Sequence, residues 1–542
     1  MTYISAHAFP QSNTERCILS IDLGTSGCKV GLVTVSGRVV AWAFRPVSIV
    51  VVGQVGAEQR PEDWWQAFLD ASRELLSVAD VPPDRIVAIC SSTQGEATIA
   101  VDRNGKALMN GIIWMDMRGA ANLKRQMRGS FKVAGYDPIK LQKWLRLCGG
   151  APALSGKDPA AHMLLIRDSF PEIYERTYKF LNALDYFVLR LTGRFVATQD
   201  SILTSWVTDN RDLNNIRYDD GLVAMSGLAR DKFPELVRCT DIVGDLLPAV
   251  AETLGLSPRT KVIAGAIDNS AAAIGAGTYA DHDAHLYVGS SSWIAAHVPF
   301  KKTSVMDQIA SVPCAAPSKY LMIALQSSGA NNIAFLKDRI IFHDDGLIDT
   351  EPSPDIYETL DDIAARTPAG ADGLMYLPWL FGERCPVDDR SLRAALFNLS
   401  MDHNRETLVR AVFEGTALNT RWMMKPVTRF LARRPPHLTI IGGGALSNAW
   451  CQIFADVLNV PIKQLRDPLK ANAVGAAIIG SVGLGLTSFE DGVKCVETAQ
   501  VFEPNPALRN LYDDRFGVFT ELHHRLAPLY RRLNGSKGRQ NG

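Results

Sequence analysis

Two acidic residues that end apolar runs are the first candidates for chemistry in this sequence. The segment from Ile21 to Val30 reads IDLGTSGCKV, so Asp22 ends a predicted strand and a Gly-Thr-Ser-Gly turn follows it. The backbone N–H groups and hydroxyls of such a turn can face phosphate oxygens, and glycine permits the close approach. Because Mg²⁺ prefers one or two carboxylates together with phosphate oxygens, Asp22 is a candidate to hold that ion through water. A plain hairpin with a polar turn would present the same residues.

The second acidic candidate is Asp268, in the segment VIAGAIDNSAAA from Val262 to Ala273. It ends an apolar strand and opens a helix of small residues, which is a good position from which to line a cleft. Transfer of a phosphoryl group to an alcohol needs a group within hydrogen-bond reach of the attacking hydroxyl, and an aspartate serves. The alternative interpretation is a helix cap, since aspartate is a favoured N-cap residue.

Two further groups could bind a nucleotide and a sugar. The turn GGGALSN, from Gly442 to Asn448, would let a base or ribose lie against bare backbone, although a tight strand-to-helix connection needs no ligand. Residues 93–96 (TQGE) and 114–118 (WMDMR) offer the amide, carboxylate and guanidinium groups that sugar hydroxyls require. For Arg118 a salt-bridged surface pair is the favoured interpretation. Gly156 lacks the upstream glycine of a P-loop, so a Walker-type site is absent from the sequence.

The elements that must position these residues form the same pattern twice. In each half a meander of strands ends in a glycine- or serine-bearing turn, and a later strand leads into a helix. The sequence predicts, in the first half, strands at 17–22, 29–35 and on through 44, a helix at 61–79, a strand at 86–91, two helices within 159–193, a strand at 261–266 and a helix at 268–276. In the second half it predicts strands at 285–288, 293–298 and 437–441 and a helix at 447–458. Sequence identity between the halves is negligible, so the repeat is one of pattern.

The length of the chain, 542 residues, is past the size at which one hydrophobic core stops growing. We predict an N-terminal tail at 1–16, a first domain at 17–280, a second domain at 281–500, and a C-terminal helix and polar tail at 501–542. The last residues, NGSKGRQNG, have the composition of a disordered segment.

Charge and cysteine usage narrow the choice of partners and compartment. Basic and acidic residues number 57 each, so the chain has no overall attraction to nucleic acid or to an anionic membrane. Nine cysteines lie far apart with no CxxC pair, which indicates reduced thiols in the cytoplasm rather than a disulfide frame or a zinc site. The first residues lack the pattern of a secretory signal, and the weakly polar stretch 471–486 is predicted to be a buried helix.

The order of these pieces resembles the FGGY family of carbohydrate kinases, and within it the xylulose kinases. The matching pieces are DLGTSGCKV, WMDMR, AGAIDNSAAAIGAG, the run from 373 to 418, GGGALSNAW and AVGAAIIG, which together span about residues 17 to 486. The run from 373 to 418 is the most specific of them. The resemblance implies an α/β fold with two actin-like (ribonuclease H-like) ATPase domains flanking a central cleft, and ATP with Mg²⁺ as the phosphoryl donor.

The resemblance also implies a role for each residue at a matching position. Asp268 is implied to be the catalytic base, and Asp22 the catalytic aspartate beside the metal. The binding residues that it implies are Gly24, Thr25, Ser26 and Lys29 for the first phosphate loop, Gly289, Ser290 and Ser291 for the second, Gly443, Gly444, Ala445 and Asn448 for adenosine, and Gln94, Glu96, Asp116 and Asn269 for the sugar.

We therefore expect an ATP-dependent kinase of a small sugar or polyol, with a ketopentose such as xylulose as the leading substrate. Two departures bear on that substrate: Gln94-Gly95-Glu96 replaces the Gln-Met-His common in xylulose kinases and is closer to the Gln-Arg-Glu of glycerol kinases, and Ala161-His162-Met163 lacks the family's usual lysine. A site built for particular hydroxyls rejects a sugar that leaves them unpaired. A glycerol or polyol kinase therefore stays an alternative, and so does a non-catalytic nucleotide-binding switch of the same fold. A homodimer is expected, with neither nucleic acid nor membrane as a partner.

Overall fold

A computed structural model describes residues 3–6, 15–128, 132–133, 135–345 and 352–535. The polar C-terminal tail from residue 536 onward lies outside these ranges, and so does most of the predicted N-terminal tail. Within that N-terminal segment, Tyr3–Ala6 is a strand that pairs with Val39–Pro46. The prediction that ordered structure begins at Cys17 is therefore wrong. Four residues are too few to show a period, and the pairing depends on an exposed sheet edge that the sequence alone does not display.

The first large sheet is built around five strands. They are β1 (Cys17–Gly24), β2 (Gly27–Thr34), β3 (Val39–Pro46), β4 (Ile86–Thr93) and β5 (Lys261–Ile267). Their order is β3-β2-β1-β4-β5, in which β1 to β3 form an antiparallel meander and β4 and β5 run parallel to β1. The strands Tyr3–Ala6 and Ile242–Asp245 extend its two edges. The near-continuous burial of β1 and β4 is typical of strands covered on both faces.

The second large sheet repeats this topology. Its central strands are β6 (Ala284–Val288), β7 (Ser292–Val298), β8 (Tyr320–Gln326), β9 (Leu438–Ile441) and β10 (Ile462–Leu465). The order β8-β7-β6-β9-β10, again an antiparallel meander followed by two parallel strands, matches the first sheet strand for strand. Thr303–Ser304 and Ile309–Pro313 continue the sheet beyond β8, and Thr498–Phe502 beyond β10. The predicted strands and the predicted repeat of pattern are confirmed.

Helices cover both sheets. In chain order the α-helices of the described residues are α1 (Pro61–Val78), α2 (Ala120–Gln126), α3 (Pro138–Leu147), α4 (Pro159–Ser169), α5 (Pro171–Arg176), α6 (Ala183–Thr192), α7 (Asp220–Ser226), α8 (Pro248–Leu254), α9 (Asp268–Gly275), α10 (Asn331–Phe335), α11 (Ile356–Arg366), α12 (Arg405–Leu431), α13 (Asn448–Leu458), α14 (Ala471–Gly483), α15 (Phe489–Gly492) and α16 (Arg509–Asn534). A π-helical turn, Leu336–Ile341, continues α10.

The prediction of two helices within 159–193 is wrong, because three helices and a short strand fill that segment. Pro171 cannot continue α4, and the residue before it, Phe170, leaves the helical region (φ −135°, ψ 59°). The short strand Lys179–Leu181 then precedes α6, which ends as predicted at Gly193 (φ 77°).

Two helices from distant parts of the chain cross in close contact. A Cβ on Gly275 of α9 would lie 1.7 Å from the Ala471 carbonyl oxygen, and one on Gly475 of α14 would lie 1.9 Å from the Ala271 carbonyl oxygen. Only glycine permits this close approach. Although it comes late in the chain, α14 packs on the first sheet, where Gly480 faces Cys90. The two halves are therefore joined by packed helices, and the boundary at residue 280 stays a prediction.

Several short strands lie outside the two large sheets. They are Val50–Val52, Gly56–Gln59, Ile99–Val101, Gly111–Ile112, Lys179–Leu181, Val196–Thr198, Thr208–Asp209, Arg217–Tyr218, Glu235–Val237, Met375–Leu377 and Ala395–Phe397. All nine cysteines are free thiols. Within the part of the chain that the structure describes, none of the helices has the length and apolar character needed to cross a bilayer.

Candidate active site

Asp22 and Asp268 lie at the same edge of the first sheet. Ser92 of β4, the strand between β1 and β5, is the register partner of Asp22 on one side and of Ala266 on the other. Asp268 follows Ala266 by two residues and begins α9. Since neighbouring strands lie about 4.8 Å apart, the backbones of β1 and β5 are about 10 Å apart at this level. The structure thus brings together two carboxylates that are far apart in sequence.

The Asp268 carboxyl group is suited to accept a proton near neutral pH. It is half-buried, and burial is the main cause that raises its pKa from 3.8 to about 7. The Asn269 N–H donates to its Oδ1 at 2.8 Å and lowers the pKa, whereas the charge of Asp22 raises it. The helix-cap interpretation is not supported, because the N-cap residue is Ile267 and no side chain caps the helix. Asn269 itself lies half-buried beside Asp268.

Asp22 is almost fully buried and connects three elements. Lys29 of β2 lies directly across the strand pair, with its Nζ 3.1 Å from Oδ2 of Asp22. Asn472 of α14 donates its Nδ2–H to Oδ1 at 3.3 Å. The charge of Asp22 is the main cause that raises the pKa of Lys29, so this lysine is cationic at the turn where phosphate binding is predicted.

The first predicted phosphate loop is the tight turn between β1 and β2. Thr25 and Ser26 form the turn after Gly24, and Ser26 is exposed. The Thr25 hydroxyl donates to Gln94 Oε1 at 3.0 Å and accepts from Trp114 Nε1 at 2.9 Å. The turn is therefore fixed to the segments that were predicted to hold the sugar.

The second predicted phosphate loop occupies the equivalent place between β6 and β7. The Gly289 N–H donates to the Ser291 carbonyl at 3.0 Å, which closes the turn. The N–H groups of Gly329 and Ala330 donate to the carbonyls of Ser290 and Gly289 at 2.9 and 2.7 Å. These bonds leave the exposed Ser290 hydroxyl at the tip of the turn.

The predicted adenosine loop follows β9. Gly442 has φ 90°, Gly443 is exposed, and a Cβ on Gly443 would meet nothing within 4 Å. Bare backbone with open space beside it is what a flat base or a ribose needs. The next two predicted residues of the loop, Gly444 and Ala445, are buried and pack towards the core. Asn448 is exposed, and its Oδ1 accepts a hydrogen bond from Gln464 Nε2 at 3.0 Å.

Two of the predicted sugar ligands are occupied by bonds within the protein. Gln94 is 2% exposed, and its Nε2 donates to Gln59 Oε1 at 2.8 Å while its Oε1 accepts from Thr25. Asp116 is 0% exposed and accepts from Arg118 and from the Ala57 N–H. Both hold the loops of the cleft, and their sugar-binding role stays a prediction. Arg118 is salt-bridged as expected, but it is partly buried rather than on the surface.

Glu96 is half-buried among charges from both halves of the chain. It has φ 60°, and its pKa is raised from 4.5 to about 7, first by burial and then by Asp158. The pKa of Glu96 is also lowered by the charges of Arg384 and Lys157 and raised by that of Asp268. Arg384 follows β8 in the chain and belongs to the second half, so the two halves meet at Glu96. A carboxyl group held in this setting can pair with hydroxyls of a small ligand.

Comparison with known proteins decides the family. The N-terminal domain model of the FGGY family of carbohydrate kinases matches residues 17–275, and its C-terminal domain model matches residues 288–484. The chain belongs to the FGGY family of carbohydrate kinases. It is 28% identical to a xylulose kinase of Staphylococcus epidermidis, over 95% of this chain and 98% of that protein. It is also 25% identical to a gluconokinase of Bacillus subtilis, over 88% of this chain and 89% of that one.

A solved structure agrees with the fold. The ligand-bound xylulose kinase from Lactobacillus acidophilus superposes with a TM-score of 0.82, covering 95% of this chain and 99% of that one at 23% identity. The expected architecture of two actin-like domains is confirmed, and this FGGY kinase is a sugar phosphotransferase.

Sequence reasoning missed a buried carboxylate that fixes the segment leading to Asp268 in this FGGY kinase. Asp200 is 1% exposed; its Oδ2 accepts from the Ile267 N–H at 3.0 Å and its Oδ1 from Thr198 Oγ1 at 2.5 Å. It therefore anchors the end of β5 directly before Asp268. No periodic or glycine-rich signal surrounds Asp200, and its role depends on a contact 67 residues away in sequence.

The residues present suit ATP and Mg²⁺. The cationic Lys29, the hydroxyls of two turns and the open backbone at Gly443 match a phosphate chain and a nucleoside. Asp22 supplies an acceptor-only group beside them, which is the ligand type that Mg²⁺ selects.

Proposed function

We propose that this enzyme transfers the γ-phosphoryl group of Mg²⁺-ATP to a hydroxyl of a small sugar, with a ketopentose such as xylulose as the leading substrate. The observation that carries the proposal is the half-buried Asp268 carboxyl group at the sheet edge that it shares with Asp22 and its partner Lys29. The named relatives, which include xylulose kinases, favour the ketopentose.

Asp268 would orient the sugar hydroxyl and take its proton as the hydroxyl attacks. Thr25, Ser26 and Lys29 would hold the phosphates on one side, and the turn at 289–291 on the other. Adenosine would lie against the loop at 443–448. Asp22 would hold Mg²⁺, which neutralises phosphate charge when bound. Positioning and charge stabilisation would supply most of the acceleration, because phosphoryl transfer asks little covalent work of the protein.

Glu96 and Asn269 would pair with sugar hydroxyls. Gln94 and Asp116, which are more deeply buried, would complete the sugar site. Glu96 also supports the alternative substrate class, since a carboxylate there is closer to glycerol kinases than to xylulose kinases. The cations Lys157 and Arg384 beside Glu96 make a sugar acid worth including in a screen. The remaining proposals are the domain boundaries 17–280 and 281–500, a homodimer and a cytoplasmic location.

The test is an ADP-release screen with Mg²⁺-ATP across pentuloses, hexuloses, pentitols, glycerol and aldonates. We expect one class to be turned over far faster than the rest, and a pentulose to lead. A preference for glycerol without activity on ketoses would replace the ketopentose by the polyol. ADP release that no sugar or polyol stimulates, measured in a single turnover, would support a nucleotide-binding switch instead.

A further inference from the structure

Tyr287 of β6 is a rigid aromatic residue at the cleft that the mechanism above does not use. Its ring stacks on Trp293, its cross-strand partner on β7, with 3.7 Å between ring centroids and 8° between ring planes. On the other side it pairs in register with Ile441 of β9. A ring held between two strands and an indole has little freedom to turn away.

The hydroxyl end of this ring lies against the second phosphate turn. A Cβ on Gly289 would lie 2.3 Å from Tyr287 Oη, so glycine is required there if the tyrosine is to keep its place. A Cβ on Gly442 would lie 3.2 Å from the Cε2 edge of the ring. The ring thus lies between the turn at 289–291 and the glycine loop that follows β9.

The charges that act on Tyr287 come from the first half of the chain. Burial raises its pKa, the cation of Lys29 lowers it, and Asp268 and Asp22 raise it. The phenol therefore stays protonated at neutral pH and remains a donor. Among the residues that the structure describes, Tyr287 Oη has no hydrogen-bond partner, so its donor is free for a ligand. The groups around it are those that flank the transferred phosphoryl group in the proposed function.

We propose that Tyr287 Oη donates a hydrogen bond to the terminal phosphate of ATP, opposite Lys29 and Asp22. This inference rests on the proposed function for its ligand but concerns a residue that the phosphate turns do not include. The stacked ring and the closely approached Gly289 fix the donor before the nucleotide binds, so little entropy is lost when the bond forms. ADP lacks the terminal phosphate and cannot make this contact.

The test compares a non-hydrolysable βγ-imido analogue of ATP with ADP, each with Mg²⁺, by calorimetry on wild type and Tyr287→Phe. Phenylalanine keeps the ring and its stack on Trp293. A hydrogen bond to a charged group has the strength to shift affinity by about ten- to a hundred-fold. We expect Tyr287→Phe to lose about that factor for the analogue and to bind ADP within about two-fold of wild type.

The matched control is Tyr279→Phe, which removes a hydroxyl from another stacked tyrosine. Tyr279 lies on Phe489 (5.3 Å, 13°). Besides burial, the groups that shift the pKa of its hydroxyl are Glu490, Ser318, Cys314 and Asp281, none of which is a predicted site residue. This control should leave both affinities unchanged. Equal affinities in wild type and Tyr287→Phe, or an equal loss for both nucleotides, would overturn the inference. Because binding is measured without sugar, a failure of the proposed sugar phosphorylation would appear separately, in the ADP-release screen.

Discussion

Replacing Asp268 by asparagine should inactivate the enzyme and at the same time stabilise it. The carboxyl group binds its proton more tightly in the folded protein, where its pKa is about 7, than in the unfolded chain, where it is 3.8. Between these values the folded state holds more protons, so this group's contribution to stability falls as the pH rises. Asparagine has almost the same shape and carries no such penalty.

The size of the effect follows from the shift. About three pKa units at 1.36 kcal/mol each give a ceiling of about 4 kcal/mol above pH 7. Solvent at the half-buried carboxyl group screens part of this free energy, and the positive charge of Lys29 offsets part of the repulsion from Asp22. We therefore expect a stabilisation of about 1–2 kcal/mol. A change of 1 kcal/mol moves the midpoint of a domain of 150–250 residues by about 2–4 °C.

The assay is thermal unfolding of wild type and Asp268→Asn between about pH 5 and pH 8, with ADP release measured on the same samples. We expect the midpoint of the variant to exceed that of wild type by a few degrees at pH 8 and by less at pH 5. Asp245→Asn, at an exposed ion pair, is the control and should show no gain. Parallel pH curves for wild type and Asp268→Asn would refute the reasoning on burial.

Three other changes test separate parts of the site. Asp22→Ala should raise the Mg²⁺ concentration needed for half-maximal activity at least several-fold, because a predicted ligand is lost; an unchanged Mg²⁺ titration would count against the metal role. In wild type, kcat/KM should rise with pH through about 7, where Asp268 and Glu96 both ionise. Glu96→Gln should raise KM for the sugar and keep that pH limb if Asp268 is the base, whereas loss of the limb would assign it to Glu96. Gly475→Ala should lower stability by about 1–3 kcal/mol, because its Cβ would lie 1.9 Å from a backbone oxygen; Gly517→Ala, in a helix with open space around it, should be neutral or stabilising, and equal effects of the two would contradict the tight crossing.

Much of the fold could be predicted because local signals and the repeat agree. The strand before Asp22, the glycine turns and the small-residue helix after Asp268 each show their period or their turn residues within a few positions. The two predicted carboxylates do share one sheet edge. Each lies near the carboxyl end of a strand, and the carboxyl ends of parallel strands lie at the same edge of a sheet. Two local predictions were wrong. The strand Tyr3–Ala6 depends on pairing with a distant sheet edge, and Pro171 divides into two helices a segment that was predicted to be one.

The parts that could not be predicted depend on long-range packing. Nothing in the sequence around Asp200 shows that it accepts the Ile267 N–H, and nothing near Ala471 shows that α14 lies on the first sheet. The same holds for Gln94 and Asp116, whose side chains are engaged by Thr25 and Arg118.

Asp268 is proposed to act on the attacking hydroxyl in a cleft that also binds the nucleotide. The most direct measurement is a single turnover of bound Mg²⁺-ATP with the preferred sugar, followed by rapid quench, in wild type and Asp268→Asn. A slowing of sugar phosphorylation by about 10²–10⁴-fold with unchanged nucleotide affinity is the predicted result. Phosphorylation at the wild-type rate would contradict the account.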